Sequence, residues 1–399
     1  MGVPIGESVN MRVFEQDISR KEMGSWQLMR LNEQIAWAAA NCSFYRGLSG
    51  VHLSDLKELE KLPFTTAQNV IDRGEDMVCL PAAQVQRIVS LHTSGTSGPW
   101  KRLQFSAADL EQTVAFFSVG MGYLCGAGDK VLICMPGVAE DGIGQLLARG
   151  LTKLGAAPVL YGPISDYEEA ADLLREVRPH TIVGIPAQMR RLALTAADAP
   201  PANVLLSADR ISPALRATVE RVWGCDVFEH YGLTESGLGC AVECPAHDGM
   251  HIRHDALILE IVDPHSSAVL PAGQWGEIVL TTLTRQAMPL LRYRTGDMGR
   301  LLAHTCGCGC ALPQLDTVAG RYVELTRPYS IYRLDDLLQQ EDKVLDYTAA
   351  LSGDELHLSV AGDAETARRL VSDMWPELQV TASAGEGFIT RGTAKRIVL

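Results

Sequence analysis

The residues best suited to chemistry lie between positions 90 and 102, where Thr93, Ser94, Gly95, Thr96, Ser97 and Gly98 are followed by Lys101 and Arg102. Glycines let backbone N–H groups turn toward an anion, hydroxyls add further donors, and the two cations add positive charge. Such a loop is built to cradle phosphate. No Gly-Lys-Ser/Thr triplet follows the second glycine, so it is not the P-loop arrangement. A plain Gly/Ser turn is the alternative reading. Two further segments stand out downstream: Tyr231-Gly232-Leu233-Thr234-Glu235 and Tyr293-Arg294-Thr295-Gly296-Asp297. Alone, the first also reads as a strand–turn–helix join and the second as a hairpin turn. A separate cluster, Cys306-Gly307-Cys308-Gly309-Cys310, sets thiols in a tight turn, with Cys244 and His251 upstream.

The elements that must position these residues are legible in outline. An apolar run at 87–91 reads as a strand leading into the loop, and Ser106 with Asp109 opens a helix over 107–117. Buried strands are expected at 130–135, 158–161, 181–185 and 204–206. Helical spacing of apolar residues falls between them at 143–154, 167–177, 187–196 and 213–223. This alternation predicts a mainly parallel sheet covered by helices. After residue 229 the pattern turns β-rich, with strands expected at 257–262, 277–283 and 290–293. Beyond 321 a small α+β tail follows, with strands at 356–360 and 378–381 and a helix at 364–375.

Composition narrows the field. The chain has 399 residues, 47% hydrophobic and 21% charged, with formal net charge −13. That excess of acid argues against a general nucleic-acid or anionic-membrane binder, while leaving room for one nucleotide in a locally basic pocket. No apolar run is long enough to cross a bilayer, and the first twenty residues lack the charged-then-apolar order of a signal peptide. A cytoplasmic location is therefore expected, with the ten cysteines as reduced thiols or metal ligands.

Taken in order, the loop at 93–98, the segments at 231–235 and 293–297 and Gly320-Arg321 resemble the adenylate-forming superfamily of acyl-CoA ligases, in its phenylacetate-CoA ligase-like branch. The resemblance implies an α/β fold with a large N-terminal adenylation domain at 1–320, β-rich over about 240–320, and a shortened α+β C-terminal domain at 321–399. It implies ATP-dependent activation of a carboxylic acid to an acyl-adenylate, then transfer to CoA. In such an enzyme the Ser/Thr/Gly loop with Lys101 holds the β- and γ-phosphates, Glu235 binds Mg²⁺, and Thr234 touches the α-phosphate. Tyr231 and Gly232 contact adenine, as do Ser207, Ala208 and Asp209, the last a shorter acid than the family's usual glutamate. Asp297 accepts the ribose hydroxyls, and Arg321 reaches ribose or phosphate. Part of the branch carries a structural zinc, which maps onto Cys244, His251, Cys306 and Cys308; Cys310, Cys240 or His247 could replace one of them.

Near the C-terminus the resemblance departs from the family. Aligned on Gly392, the position of the family's catalytic lysine holds Thr393, and only a local shift of register lets Lys395 serve. Two other readings stay open: a ligase-inactive nucleotide-binding sensor or partner protein, and an adenylating enzyme that passes its acyl group to an amine or carrier protein. The expected partners are a small carboxylic acid and CoA or another acyl acceptor, with no nucleic acid and no membrane. A homodimer is admitted, although the sequence does not fix the oligomeric state.

Overall fold

The computed structural model describes residues 19–92, 100–137 and 140–387. The phosphate-loop candidates Thr93 to Gly98, together with Thr393 and Lys395, lie outside the described residues. The polypeptide forms two compact units, one of residues 1–123 and 230–319, the other of residues 124–229 and 320–399.

In the second unit the βα alternation produces a parallel sheet. The strands Lys130–Cys134, Ala157–Leu160, Thr181–Gly184, Asn203–Leu206 and Asp226–Tyr231 pair in parallel, with Lys130–Cys134 flanked by Ala157–Leu160 and Thr181–Gly184. Helices Ile143–Leu154, Tyr167–Val177, Pro186–Thr195 and Pro213–Trp223 connect them. Their ends follow local chemistry. The Asp166 carboxylate caps one helix by accepting from the N–H groups of Glu168 and Glu169, and Ser212 caps another by accepting from Leu215. Gly155, at φ 83°, ends the first of these helices in the left-handed conformation. Leu132, Ile182, Val204 and Leu206 from the strands pack on Leu174, Met189, Leu192 and Val219 from the helices.

The same unit contains the tail. A hairpin of Val344–Ser352 and Glu355–Gly362 takes Gln379–Ala384 as a parallel third strand, reached through helix Ala364–Met374. The tail is tied to the α/β layer by arginines. Arg190, 2% exposed, donates to the backbone carbonyls of Glu341, Val344 and Leu345 at 2.9, 2.8 and 3.2 Å. Arg210 makes a bidentate pair with Asp336 at 2.9 and 3.1 Å, and Arg221 bonds Asp342. A charge-assisted bond contributes about 1.5–3 kcal/mol net, so the buried Arg190 contacts dominate this attachment.

The first unit opens with helix Arg20–Asn41. Its buried stripe includes Gln27 and Gln34, whose amides donate to the backbone carbonyls of His254 (3.0 Å) and Arg285 (2.9 Å). An antiparallel hairpin, Arg87–His92 with Trp100–Phe105, precedes helix Ala107–Met121. That helix runs one turn beyond the expected 107–117. Strands Leu257–Val262, Gly276–Thr282 and Tyr293–Gly299 pair in an antiparallel meander.

The strand expected at 290–293 is corrected by the structure: the strand starts at Tyr293. Arg292 has φ 47°, which breaks extended geometry. The N–H groups of Leu290 and Arg292 go to the hydroxyls of Thr282 and Thr281 instead of to a ladder.

Candidate functional site

The strand Asp226–Tyr231 ends at Tyr231, and the chain then folds back through Gly232 into a short 3-10 turn, Thr234–Ser236. A side chain at Gly232 would put its Cβ 2.5 Å from the carbonyl oxygen of Leu238. Only glycine permits that approach. The return is closed by bonds from Leu238 N–H to Leu233 (3.0 Å) and from Gly237 N–H to Thr234 (3.1 Å), with Gly237 at φ 81°. Thr234, half-buried, stands beside Glu235 in this turn.

Glu235 is 4% exposed, and its Oε1 carries both of the bonds that follow. Its carboxylate accepts hydrogen bonds from the Lys101 ammonium and, at 2.7 Å, from the Tyr293 hydroxyl. Lys101 also reaches the Tyr293 oxygen at 3.3 Å. Burial alone would raise the Glu235 pKa. The Lys101 charge and the bonds from Lys101 and Tyr293 outweigh it and leave the pKa below the usual glutamate value. The group is a carboxylate at neutral pH, already matched to one cation.

Asp297 lies four residues beyond Tyr293 on strand Tyr293–Gly299 and accepts from the Tyr231 hydroxyl at 2.9 Å. Burial first, and then the Asp297 charge, pushes the Tyr231 phenol well above its ordinary pKa, so it remains a donor. The backbone N–H of Asp297 is fixed by Thr295 Oγ1 at 3.0 Å.

Helix Ala107–Met121 braces this region. Thr113 Oγ1 donates to the Gly237 carbonyl at 2.7 Å. The Asp109 carboxylate accepts from the N–H groups of Gln286 (2.8 Å) and Ala287 (3.1 Å). Arg285, stacked 4.7 Å over the Phe105 ring, points its guanidinium at the Glu235 carbonyl. Sequence reasoning reads Asp109 as a helix-capping residue and gives Tyr293 and Arg285 no role. The available signal for Tyr293 is its place in the Tyr293-Arg294-Thr295-Gly296-Asp297 motif, four residues before Asp297.

Ser207, Ala208 and Asp209 belong to the other compact unit, at the carboxyl end of strand Asn203–Leu206. Ser207 N–H bonds the Gly184 carbonyl at 3.1 Å, and Ala208 adopts φ 76°, unusual for a residue with a Cβ. Asp209 accepts from the N–H of Arg210 at 2.8 Å. Arg321, also in that unit, precedes the short helix Tyr322–Thr326 and donates its backbone N–H to the Tyr332 hydroxyl at 3.0 Å.

Cys244, His251, Cys306 and Cys308 converge, their ligand atoms all within 4.8 Å of one another. Cys244 Sγ lies 3.7 Å from Cys306 Sγ, and Cys308 Sγ lies 3.5 Å from His251 Nε2. For a tetrahedral zinc with ordinary bond lengths, the S···S and S···N edges are about 3.8 and about 3.6 Å. The donor set therefore fits that ion. The loop is held from outside by Asp248, which binds His304 Nε2 (2.7 Å) and Gly307 N–H (3.2 Å). Cys310 instead packs among Met23 and Leu312. Burial pushes the Cys306 thiol up to about 12 and raises Cys244, so without a cation these groups are neutral and desolvated.

The fold and these motifs define an adenylate-forming enzyme. Residues 48–284 match the family described as AMP-binding enzyme, and the chain belongs to that family, in its phenylacetate-CoA ligase-like branch. The chain is 34% identical over 307 residues to the phenylacetate-coenzyme A ligase of Aromatoleum evansii, covering 72% of this chain and 68% of that one. It is 31% identical over 321 residues to the enzyme of that name from Escherichia coli (strain K12), covering 75% and 71%. In fold it is similar to 2-hydroxyisobutyryl-CoA ligase, solved in the postadenylation state with R3-HIB-AMP. There the TM-score is 0.81 at 20% identity over 99% of this chain and 93% of that one.

Proposed function

We propose that this protein is an AMP-forming acid–thiol ligase that activates a small carboxylic acid with ATP and transfers the acyl group to CoA. The observation that carries the reading is the meeting of Lys101, Glu235 and Tyr293, drawn from three separate motifs, in a chain that belongs to the AMP-binding enzyme family. In the first step a carboxylate oxygen attacks the α-phosphorus of ATP, and the bond to the bridging oxygen breaks to release pyrophosphate. Both reactants are anions, so the site must offset charge and align the attack. Lys101 and the loop Thr93 to Gly98 would hold the terminal phosphates. Glu235 would hold Mg²⁺, which supplies Lewis-acid neutralisation of the phosphate oxygens. Thr234 would contact the α-phosphate, and Tyr231, Gly232 and Ser207 to Asp209 would contact adenine. Asp297 would accept the ribose hydroxyls, with Arg321 reaching ribose or phosphate. Cys244, His251, Cys306 and Cys308 would hold a structural zinc that pins its loop.

The acid is proposed to be aromatic, with support from two relatives named for phenylacetate. An acid panel in the ATP–pyrophosphate exchange assay tests this, followed by CoA addition and detection of the thioester. Exchange is expected with phenylacetate or a close aryl acid. Clear ATP binding with no exchange for any acid would leave only the nucleotide-binding reading, and acyl transfer to an amine or carrier protein in place of CoA would revise the acceptor.

Residues from 321 onward are proposed to act as the small domain, with Lys395 as the lysine aimed at the α-phosphate and the acid carboxylate. Lys395→Ala is expected to slow exchange by about 10²-fold or more, as for loss of one charge directed at a transition state. Unchanged exchange in that variant, with a sharp gain in Thr393→Lys, would instead favour a decayed site. The proposed location is the cytoplasm, consistent with ten free thiols. Among the described residues, no helix is long and apolar enough to cross a membrane.

A further inference from the structure

The two Tyr…acid segments have the same spacing, four residues from tyrosine to carboxylate, and they bond crosswise. Tyr231 of the first donates to Asp297 of the second at 2.9 Å, and Tyr293 of the second donates to Glu235 of the first at 2.7 Å. Each segment thus contributes one donor and one acceptor, and the two run in opposite directions past one another. Tyr293 is 1% exposed, and Asp297 and Glu235 are 6% and 4% exposed. The Tyr293–Glu235 bond is buried and the Tyr231–Asp297 bond part-buried, and a hydrogen bond to a charged acceptor strengthens as water is removed.

We propose that Tyr231 and Tyr293 are positioning residues, a reciprocal clasp that presets the ribose-side carboxylate Asp297 and the metal-side carboxylate Glu235 before nucleotide arrives. The proposal rests on the reading of those two acids given above. The carboxylates do separate work, yet each is aimed by the tyrosine of the opposite motif, so the clasp also fixes the register between the two segments. Between Tyr293 and Asp297 the strand is not regular: its pairing register shifts between Arg294 and Met298, and Gly296 adopts φ 75°. A carboxylate held by the opposite tyrosine loses no alignment when its ligand binds, which is the benefit of a preorganised site. Tyr293 also receives the second bond of Lys101, at 3.3 Å, so it orients the cation as well as the acid.

The test uses the full chain with Tyr293→Phe and Tyr231→Phe, after thermal unfolding has verified that each folds. Calorimetry then measures affinity for ATP with Mg²⁺, for ATP in EDTA, and for 2′-deoxy-ATP with Mg²⁺. Tyr293→Phe is expected to shrink the Mg²⁺-to-EDTA affinity ratio by about tenfold, the size of one bond to a charged group, while the ATP-to-deoxy-ATP ratio stays within about twofold. Tyr231→Phe is expected to do the reverse. A merely structural tyrosine would lower all three affinities together, and that result, or no change in either ratio, overturns the clasp. In a Glu235→Gln background Tyr293→Phe is expected to add nothing further to the metal ratio; full additivity would also overturn it, including where one single variant folds poorly. Absence of ATP binding by the unsubstituted protein would instead overturn the underlying assignment of the two acids.

Discussion

Glu235→Gln is expected to lower the rate of acid-dependent ATP–pyrophosphate exchange by about 10²–10³-fold with little change in ATP affinity measured without metal. The substitution keeps volume and one acceptor oxygen but removes the charge that matches Lys101 and would hold Mg²⁺. It leaves the Lys101 ammonium, whose side chain is 13% exposed, without its counter-ion. Breaking such a pair costs about 3–5 kcal/mol when one partner stays buried and uncompensated, so part of the loss will show as lower thermal stability. Lys101→Met separates the two effects. It disturbs the pair from the other side, and its loss of exchange should come with weaker ATP binding, because Lys101 is read as a phosphate contact. If Glu235→Gln retains full exchange, the assignment of the metal-side carboxylate is wrong.

The second large effect concerns the Cys/His cluster. Protein prepared without chelator is expected to hold about one zinc per chain, and its removal to lower the unfolding midpoint by roughly 5–10 °C. The thiol energetics give the reason. Burial raises Cys244 and Cys306, so the metal-free loop keeps desolvated thiols tied by weak sulfur contacts and the outer bonds of Asp248. A divalent cation converts them to ligands and ties residue 244 to residue 306 across the intervening strands. Cys306→Ser should lose the metal, measured by elemental analysis. Cys310→Ser and Cys240→Ser should keep it, since neither lies in the four-ligand set. Retention of full zinc by Cys306→Ser would exclude this ligand set.

Helices Ile143–Leu154, Tyr167–Val177 and Pro213–Trp223 are legible to the residue because an apolar stripe, a cap and a breaker coincide there. Helix Arg20–Asn41 is hidden because glutamines and alanines occupy its buried face, satisfied by carbonyls more than 200 residues away, which no local pattern encodes. The stretch at 290–293 misleads for the opposite reason: it is buried, but side-chain hydroxyls take the N–H groups of Leu290 and Arg292. The motif residues Lys101, Glu235, Asp297 and the four zinc-type ligands could be named from sequence. The resemblance also groups the four zinc-type ligands in one site, whereas the contacts of the two tyrosines with the acids could not be named. The crosswise tyrosines depend on how two segments about sixty residues apart, from strands of different sheets, come together in the fold.

Arg190 has a consequence of a different kind. Its three tail partners are backbone carbonyls, those of Glu341, Val344 and Leu345, so the contact reads the path of the chain and not the identity of the residues. The Arg190 contacts therefore place no demand on the side chains at 341 and 345, although the Glu341 carboxylate separately accepts from the Lys343 N–H within the turn, whereas position 190 must keep its guanidinium. A tail transplanted from a distant relative would find its seat here if it carried the same bend, however little else it shared.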